Sequence, residues 1–542
     1  MNGAQALIES LKRAQVTHIF GYAGATICPA VDALKDTPEI GYTLVRTEQN
    51  AGHMASGYAR ISGKVGVCMV TSGPGATNLI TGIATAYMDS IPMVAITGQV
   101  PSHLLGRDIF QEVDITGAVA PFSKHSYLVK NANDIPRIVQ EAFHIASTGR
   151  PGPVLIDIPV DVQEQTLRKF EWPEQANIRG YKPSSKGNDL QIKRVAETIA
   201  KSKQPLICAG GGVWLADAQK ELVELAERAN IPVVKTMMGI SLLPTDHPLN
   251  MGMIGAHGNH CANRALAKSD LLIMVGTRAA DRAIIAPGEI QRRMATIHID
   301  IDPAEIGKNM QAAVPLVGHV KVILQQLLDK NLPVSDSADW LARLGDYRRA
   351  ELSREFPHRP GFVFPGTAIR ALGRQLADDA IVCVDVGQNQ IFTCKYLPQK
   401  HGRLLTSGGL GTMGYALPAA VGAKVAAPDR QTIVVCGDGS FQMAMNELSA
   451  VRAANQDIKI VLFRNHTLGM VHQIQKAAPY HGPFGVDLDG SPDFEQIAAA
   501  YGITSITVTE DEQLDSSIHR FLETAGSCIL ILEVHPSVGT ND

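Results

Sequence analysis

The chain has no CxxC pair and no His/Cys cluster; its eight cysteines, Cys28, Cys68, Cys208, Cys261, Cys383, Cys394, Cys436 and Cys528, are scattered. That excludes a disulfide-stapled scaffold and a cysteine-built zinc site. Cys68, Cys208, Cys383 and Cys436 sit inside apolar runs, where a free thiol behaves as a small hydrophobe, so a reducing, cytoplasmic setting is expected. No uninterrupted apolar stretch reaches the ~18 residues of a membrane helix. The N-terminal MNGAQALIESLKRAQ reads as an amphipathic helix rather than the apolar core of a signal peptide. Cationic excess is missing too: 49 Lys and Arg against 53 Asp and Glu leave a net charge of −4, with no basic field to draw nucleic acid. Low-complexity sequence is absent, and 45% hydrophobic residues over 542 positions exclude a disordered chain. At roughly 100–200 residues per domain, that length implies three to four domains.

What the chain does have is a succession of short β-branched runs alternating with helical stretches. The runs are VGVCMVT (65–71), PMVAITG (92–98), PVLIDIP (153–159), PLICAGG (205–211), DLLIMVG (270–276), TIHIDID (296–302), AIVCVDV (380–386), TIVVCGD (432–438), IKIVLFR (458–464) and CILILEV (528–534). Runs apolar at nearly every position suit strands covered on both faces, the pattern of parallel α/β sheets. Polar, proline-containing stretches at 162–189 and 331–361 read as linkers, the second with some helix of its own. The expected architecture is therefore α/β, with three doubly wound parallel-sheet domains over 1–163, 188–329 and 362–535. The first and third open alike, a helix followed by an apolar strand ending in glycine, which hints at duplication.

The sharpest local signal is Gly437-Asp438-Gly439-Ser440 at the end of one run, with a helix over FQMAMNELSAVRAAN and a strand ending at Asn465 expected to follow. Glycines let a backbone approach phosphate closely, and a helix N-terminus adds N–H donors and a favourable dipole. Asp438 and Asn465, oxygen ligands at adjacent strand ends, suit a hard divalent cation bridging a diphosphate, most simply Mg²⁺. A GDG alone is as readily a turn. GDG followed by Asn after 25 intervening residues, with both strands present, resembles the signature of thiamin diphosphate (ThDP) enzymes. Near the other end Glu48, in LVRTEQNAGHMASGYAR, lies between a strand and a small-residue helix, where a carboxylate is ordinarily a cap. TSGPGATN (71–78) repeats the loop-to-helix arrangement and either cradles a phosphate or turns the chain.

TEQNAGHMASGYAR, TSGPGATNLITGIA, IPMVAITGQVP, FQEVDITG, GRPGPVLIDIP, IHIDIDPAEIGKN, TSGGLGTMGYALPAAVGA, GDGSFQMAMNEL and LGMVHQ together resemble the acetohydroxyacid (acetolactate) synthase large-subunit family over nearly the whole chain. The resemblance implies pyrimidine-binding, central and diphosphate-binding domains in that order. It implies that Glu48 contacts the ThDP aminopyrimidine and promotes ionisation of the thiazolium C2, with Phe110 and Gln111 on the substrate side. Pro74, Asn78, Gly387, Gln388, Asn389, Met413, Gly437, Asp438, Gly439, Ser440 and Met470 match ThDP-contacting positions, Met413 as the wedge that bends the cofactor. Asp438, Asn465 and the main-chain oxygen of Thr467 match Mg²⁺ ligands. Gly210, Gly211, Gly212, Thr236, Met237, Gly255, His257, Gly276, Arg278, Asp281, Arg282, Asp300 and Asp302 match the positions of a structural FAD. The family's active sites lie at a subunit interface, so a homodimer or homotetramer is implied, with a regulatory small subunit as a further partner and 2-oxo acids as substrates.

The chain departs from the family where it reads Ile474 for tryptophan, Ala256 for methionine and Ala279 for phenylalanine. Losing a methylene or two in a pocket carries about 1–3 kcal/mol of discrimination, so an enlarged acceptor pocket is expected at Ala256 and Ile474, unless neighbouring side chains refill it. Arg278 remains the candidate to grip an acceptor carboxylate. Asn389 stands where a histidine meets the diphosphate, and Ala23 and Ala25 alter a loop beside the thiazolium. The leading expectation is a ThDP- and Mg²⁺-dependent carboligase that decarboxylates pyruvate and transfers its two-carbon unit to a second 2-oxo acid. The alternatives are an acyloin synthase with a bulkier acceptor, a simple 2-oxo acid decarboxylase, and an oxidase passing electrons to the flavin. A non-catalytic relative would have lost Glu48, Asp438 or Asn465. An NAD dehydrogenase would need a GxGxxG opening a helix, which no strand here supplies.

Overall fold

The computed structural model describes residues 1–330, 332 and 337–541, and among them eighteen strands form three six-stranded sheets paired in parallel throughout. The first holds β1 (His18–Tyr22), β2 (Gly41–Leu44), β3 (Gly66–Val70), β4 (Met93–Gln99), β5 (His125–Leu128) and β6 (Pro153–Pro159) in the order β2-β1-β3-β4-β6-β5. The second holds β7 (Pro205–Ala209), β8 (Val233–Lys235), β9 (Asn250–Met253), β10 (Leu271–Val275), β11 (Ala295–Asp300) and β12 (Val314–Val317) in the order β12-β11-β10-β7-β8-β9. The third holds β13 (Ile381–Val384), β14 (Arg403–Thr406), β15 (Thr432–Gly437), β16 (Lys459–Arg464), β17 (Thr504–Val508) and β18 (Cys528–Glu533) in the order β14-β13-β15-β16-β18-β17. The first and third orders are the same pattern, which matches the shared openings seen in sequence. The second is the doubly wound dinucleotide order read from its far edge.

All ten apolar runs become strands, with ends that differ from the runs by two residues at most. Every residue of β3, β4, β6, β7 and β10 is buried, as strands with helices on both faces require. Eight strands had no comparable signal. Most lie at sheet edges, where one flank stays wet and the apolar run is short; β5 and β17 keep exposed or half-exposed residues throughout most of their length. The helix expected over FQMAMNELSAVRAAN is broken into Asp438–Gln442, a 3₁₀ turn Met445–Glu447 and Leu448–Ala453. The break turns the Glu447 side chain toward the first domain.

The stretch at 162–189 is pinned rather than free. Phe170, Trp172 and Ile178 pack on the first domain's core, and Tyr181 donates from its hydroxyl to the carbonyl of Thr148 at 2.8 Å. Of the stretch 331–361, residues 331 and 333–336 lie outside the described residues; the helix Ala338–Leu352 buries Trp340 and Leu344 against the second domain.

The first and third domains share one apolar core. Their helices Glu48–Ser62 and Ala416–Ala426 cross in backbone contact: a Cβ on Gly57 would sit 2.0 Å from the Ala419 carbonyl oxygen, and one on Gly422 1.9 Å from that of Met54. Beside the crossing, Arg60 pairs with buried Asp89 at 2.6 Å, and Asp89 accepts from the Gly409 N–H at 2.7 Å. Seven cysteines are buried and Cys28 is exposed, and no described helix is long and apolar enough to cross a membrane.

Candidate functional site

In the third domain the ends of β13, β15 and β16 come together. Asp385, buried just past β13, accepts from the N–H groups of Val386 and Gly414 and, on its other oxygen, Ala416, each at 2.9 Å. It thereby pins the loop that carries Met413. Burial pushes its carboxyl up to about 6. Past β15, Asp438 opens the short helix, buried, with Oδ1 accepting from Gly439 N at 2.9 Å and Oδ2 from Asn465 N and His466 N at 3.0 and 2.7 Å. Burial raises this carboxyl as well.

Asp438, Asn465 and Thr467 line one cavity, and between them they carry a carboxylate, an amide oxygen and a main-chain carbonyl, all hard oxygen donors. Among the described residues no group of three or more His, Cys, Asp or Glu side chains is placed to hold a metal. Such a set suits Mg²⁺, which takes few protein ligands and the rest from diphosphate and water. Three N–H donors leave Asp438 a free lone pair for an ion. Ser440 Oγ bonds Gly437 at 3.2 Å and closes the cradle from behind. Gln388 donates to Gln473 Oε1 at 3.1 Å and to the Val538 carbonyl at 2.9 Å, so the C-terminal segment is tied to the cradle. Asn389 spends its amide nitrogen on the carbonyls of Asp385 (2.7 Å) and Val435 (3.3 Å), and what it turns to the cradle is an oxygen, the wrong polarity for a phosphate contact.

The second domain places its glycine triplet at the crevice between β7 and β10. A Cβ on Gly212 would sit 2.7 Å from Gly276 Cα, so the two loops touch through bare backbone. This is the switch point at which doubly wound sheets bind nucleotides. Asp300, at the end of β11, is buried and its carboxyl is raised by burial to about 6. Backbone contact at the crevice and a carboxylate at the neighbouring strand end fit a dinucleotide such as FAD. Gly255 packs on the Arg282 carbonyl, and Ala256 donates to the same oxygen at 3.0 Å. Arg278 reaches across to the first domain, donating to the Met88 carbonyl at 2.8 Å.

One cavity of about 1350 Å³ runs from this crevice to the cradle. Gly211, Gly212, Thr236, Met237, Ala256, His257, Gly276, Arg278, Asp281, Arg282 and Asp300 line one end; Gly387, Gln388, Asn389, Met413, the Gly437–Ser440 turn, Asn465, Thr467, Met470 and Ile474 line the other. It is larger than the ~300–1,000 Å³ of a usual small-molecule pocket. Glu48, Pro74, Asn78, Phe110, Gln111 and Gly255 do not line it. The first five gather on the first domain instead. Glu48 begins the helix Glu48–Ser62, half-buried, and accepts from Asn78 Nδ2 at 3.0 Å. Gln111 sits at φ +62° with its Cβ 2.8 Å from where one on Gly73 would be, and Phe110 stands 85% exposed.

Two features escaped the sequence reading. Fully buried Glu447 accepts through Oε1 from Arg46 N (2.8 Å), Thr47 N (3.2 Å) and Asn50 Nδ2 (2.9 Å), so the third domain holds the segment that carries Glu48. The only sign in sequence was a glutamate in a stretch whose one other charged residue is Arg452. Arg150 joins Glu305 at 2.8 Å and Asp302 at 3.3 Å, binding the first domain to the second beside the cavity; a surface-like Gly-Arg-Pro string gives no hint of that partner.

Comparison with known proteins gives matches along the chain. Family models described as the N-terminal TPP binding domain, the central domain and the C-terminal TPP binding domain of thiamine pyrophosphate enzymes match residues 1–118, 192–327 and 385–532. A probable acetolactate synthase large subunit of Methanocaldococcus jannaschii is 42% identical over 99% of this chain and 92% of its own length. The acetolactate synthase large subunit of Corynebacterium glutamicum is 43% identical over 96% and 85%, and an acetolactate synthase of Mycobacterium bovis 43% identical over 96% and 86%.

Proposed function

The chain belongs to the thiamine pyrophosphate enzyme family, alongside the acetolactate synthase large subunits, and from that premise we propose a ThDP- and Mg²⁺-dependent carboligase joining two 2-oxo acids, with pyruvate as donor. The observation that carries the cofactor assignment is the cradle: Asp438, Asn465 and the Thr467 carbonyl at adjoining strand ends, in front of a Gly-Asp-Gly turn. ThDP bound there would supply a nucleophilic carbon and the electron sink that decarboxylation of the donor needs.

The chain's own groups divide the remaining work. Asp438, Asn465 and Thr467 hold Mg²⁺ and, through it, the diphosphate. Met413, fixed by the Asp385 loop, wedges the cofactor's middle. Glu48 holds a proton at the aminopyrimidine ring nitrogen, with Asn78 orienting its carboxylate. Arg278 offers a guanidinium to the acceptor's carboxylate. FAD in the crevice serves a structural role, with Gly210–Gly212, Gly276 and Asp300 as its contacts.

Because Glu48, Phe110 and Gln111 do not line the cavity that holds the cradle, we propose that two copies face each other, one giving Glu48 and the other Asp438. The functional unit is then a homodimer or a pair of them, with a regulatory small subunit as a further partner. Within the same reading the acceptor side is roomier than in the relatives, since Ala256 and Ile474 line one cavity and Ile474 is 51% exposed there. Product analysis tests the proposal: with ThDP, Mg²⁺, FAD and pyruvate, purified protein forms acetolactate, faster or slower as larger 2-oxo acids are added. Release of CO₂ with no ligated product would overturn the carboligase and leave a decarboxylase.

A further inference from the structure

A second cavity, of about 580 Å³, lies where all three domains meet, and Arg60, Leu215 and Arg403 are among the seven residues that line both it and the large one. Its charge is one-sided. Arg60, Lys64, Arg403, His18 and His144 line it, and among the described residues not one aspartate or glutamate does. Arg60 is neutralised by Asp89 at 2.6 Å. His18 is held neutral by burial, at about 4.

Arg403 is different. Its guanidinium makes no hydrogen bond or ion pair among the described residues, its Nε is sealed from water without a partner, and its Cζ lies 3.7 Å from the centre of the Trp214 ring. Trp214 is itself fixed, donating to the Ile240 carbonyl at 3.2 Å. Burial and the nearby Arg60 and Arg430 work against the Arg403 charge. Arg403 is half-buried, and a half-buried cation left unpaired carries part of the desolvation cost with no partner's charge to offset it. A guanidinium lying over an aromatic ring leaves edge N–H groups free for an oxyanion.

We propose that this cavity is a binding site for a small organic anion: a carboxylate or phosphate gripped by the edge of Arg403, on an apolar, preferably aromatic body seated among Tyr58, Phe143 and Trp172. The size lies within the ~300–1,000 Å³ of small-molecule sites. A zwitterion is disfavoured, because no acidic side chain lines the cavity to receive its ammonium. The site is separate from the cofactor cavity but shares a wall with it, so its occupant presses on Arg60 and Leu215 from behind.

Calorimetry on the full chain saturated with ThDP, Mg²⁺ and FAD tests this, since both cofactor sites are then filled. Benzoate and phenyl phosphate are the probes, their relative affinity deciding between carboxylate and phosphate; benzyl alcohol and phenylalanine are the controls. The expected result is one site per chain for at least one anion, none for the controls, and a loss of about tenfold or more in Arg403→Gln, the scale of one charged hydrogen bond. Arg403→Gln removes an unpaired, half-buried charge and melts no lower than the parent, so it remains measurable; Lys64→Gln, at the rim, weakens binding less. Absence of anion binding at ~10 mM, where even a Kd in the millimolar range shows, would overturn the site. So would binding equal in Arg403→Gln, binding equal for benzyl alcohol, or displacement by added FAD.

Discussion

Glu447→Ala removes the single acceptor that serves three donors at the start of the helix carrying Glu48. Arg46 N, Thr47 N and Asn50 Nδ2 all converge on Oε1 at 2.8–3.2 Å, and Asn50 is 1% exposed, so water does not replace the lost oxygen. An orphaned buried donor costs about 1–3 kcal/mol, which for three donors on one oxygen sums to about 3–9 kcal/mol. Denaturant unfolding measures this directly, and turnover falls with it because Glu48 loses its fixed backbone. Glu447→Gln keeps the shared oxygen but places an NH₂ where Oε2 has no partner, so it loses about 1–3 kcal/mol at neutral pH, less than the alanine variant. The pH dependence has a definite sign. Burial holds the Glu447 carboxyl above its ordinary 4.5, so the native state binds that proton more tightly than the unfolded chain. Stability from this group is present below 4.5 and is lost as pH rises through the raised value, and Glu447→Gln abolishes that part of the slope. An alanine variant within ~1 kcal/mol of the parent, with turnover intact, would refute the reasoning.

Asp438→Ala loses Mg²⁺ and ThDP affinity together, read by calorimetry of each; unchanged ThDP binding would remove Asp438 from the metal site. Ile474→Trp shifts the product ratio toward the smaller acceptor by up to about 10–200-fold, the range of a few methylenes in a pocket, measured by mass spectrometry with paired 2-oxo acids. An unchanged ratio would mean the space beside Ala256 does not select the acceptor.

The parts legible in the sequence were those written in local pattern. β3, β4, β6, β7 and β10 announce themselves because covered parallel strands are apolar at every position. β5 and β17 stay wet on one flank and carry too little apolar sequence to register. Gly437-Asp438-Gly439 and Asn465 were legible because a phosphate-and-metal turn demands those residue types at a fixed spacing. The broken helix after Ser440 was not: FQMAMNELSAVRAAN has helical propensity throughout, and the break answers to Glu447's partners some 400 positions away. Asn389 shows the converse limit, since its position in the motif suggests a phosphate contact while its amide serves the Asp385 and Val435 carbonyls. Arg403 carried no signal at all, because an unpaired arginine in sequence looks like any surface cation.

The most direct test of the account is exchange of the thiazolium C2 proton, followed by NMR in D₂O on parent and Glu48→Gln loaded with ThDP and Mg²⁺. Glutamine keeps the Asn78 contact through its carbonyl oxygen, so cofactor affinity and stability are preserved while the proton-holding carboxylate is lost. The account predicts exchange and acetolactate formation slowed by about 10²–10⁴-fold, the range for a positioned acid–base group. Exchange and turnover at the parent's rate, with ThDP bound, would contradict it.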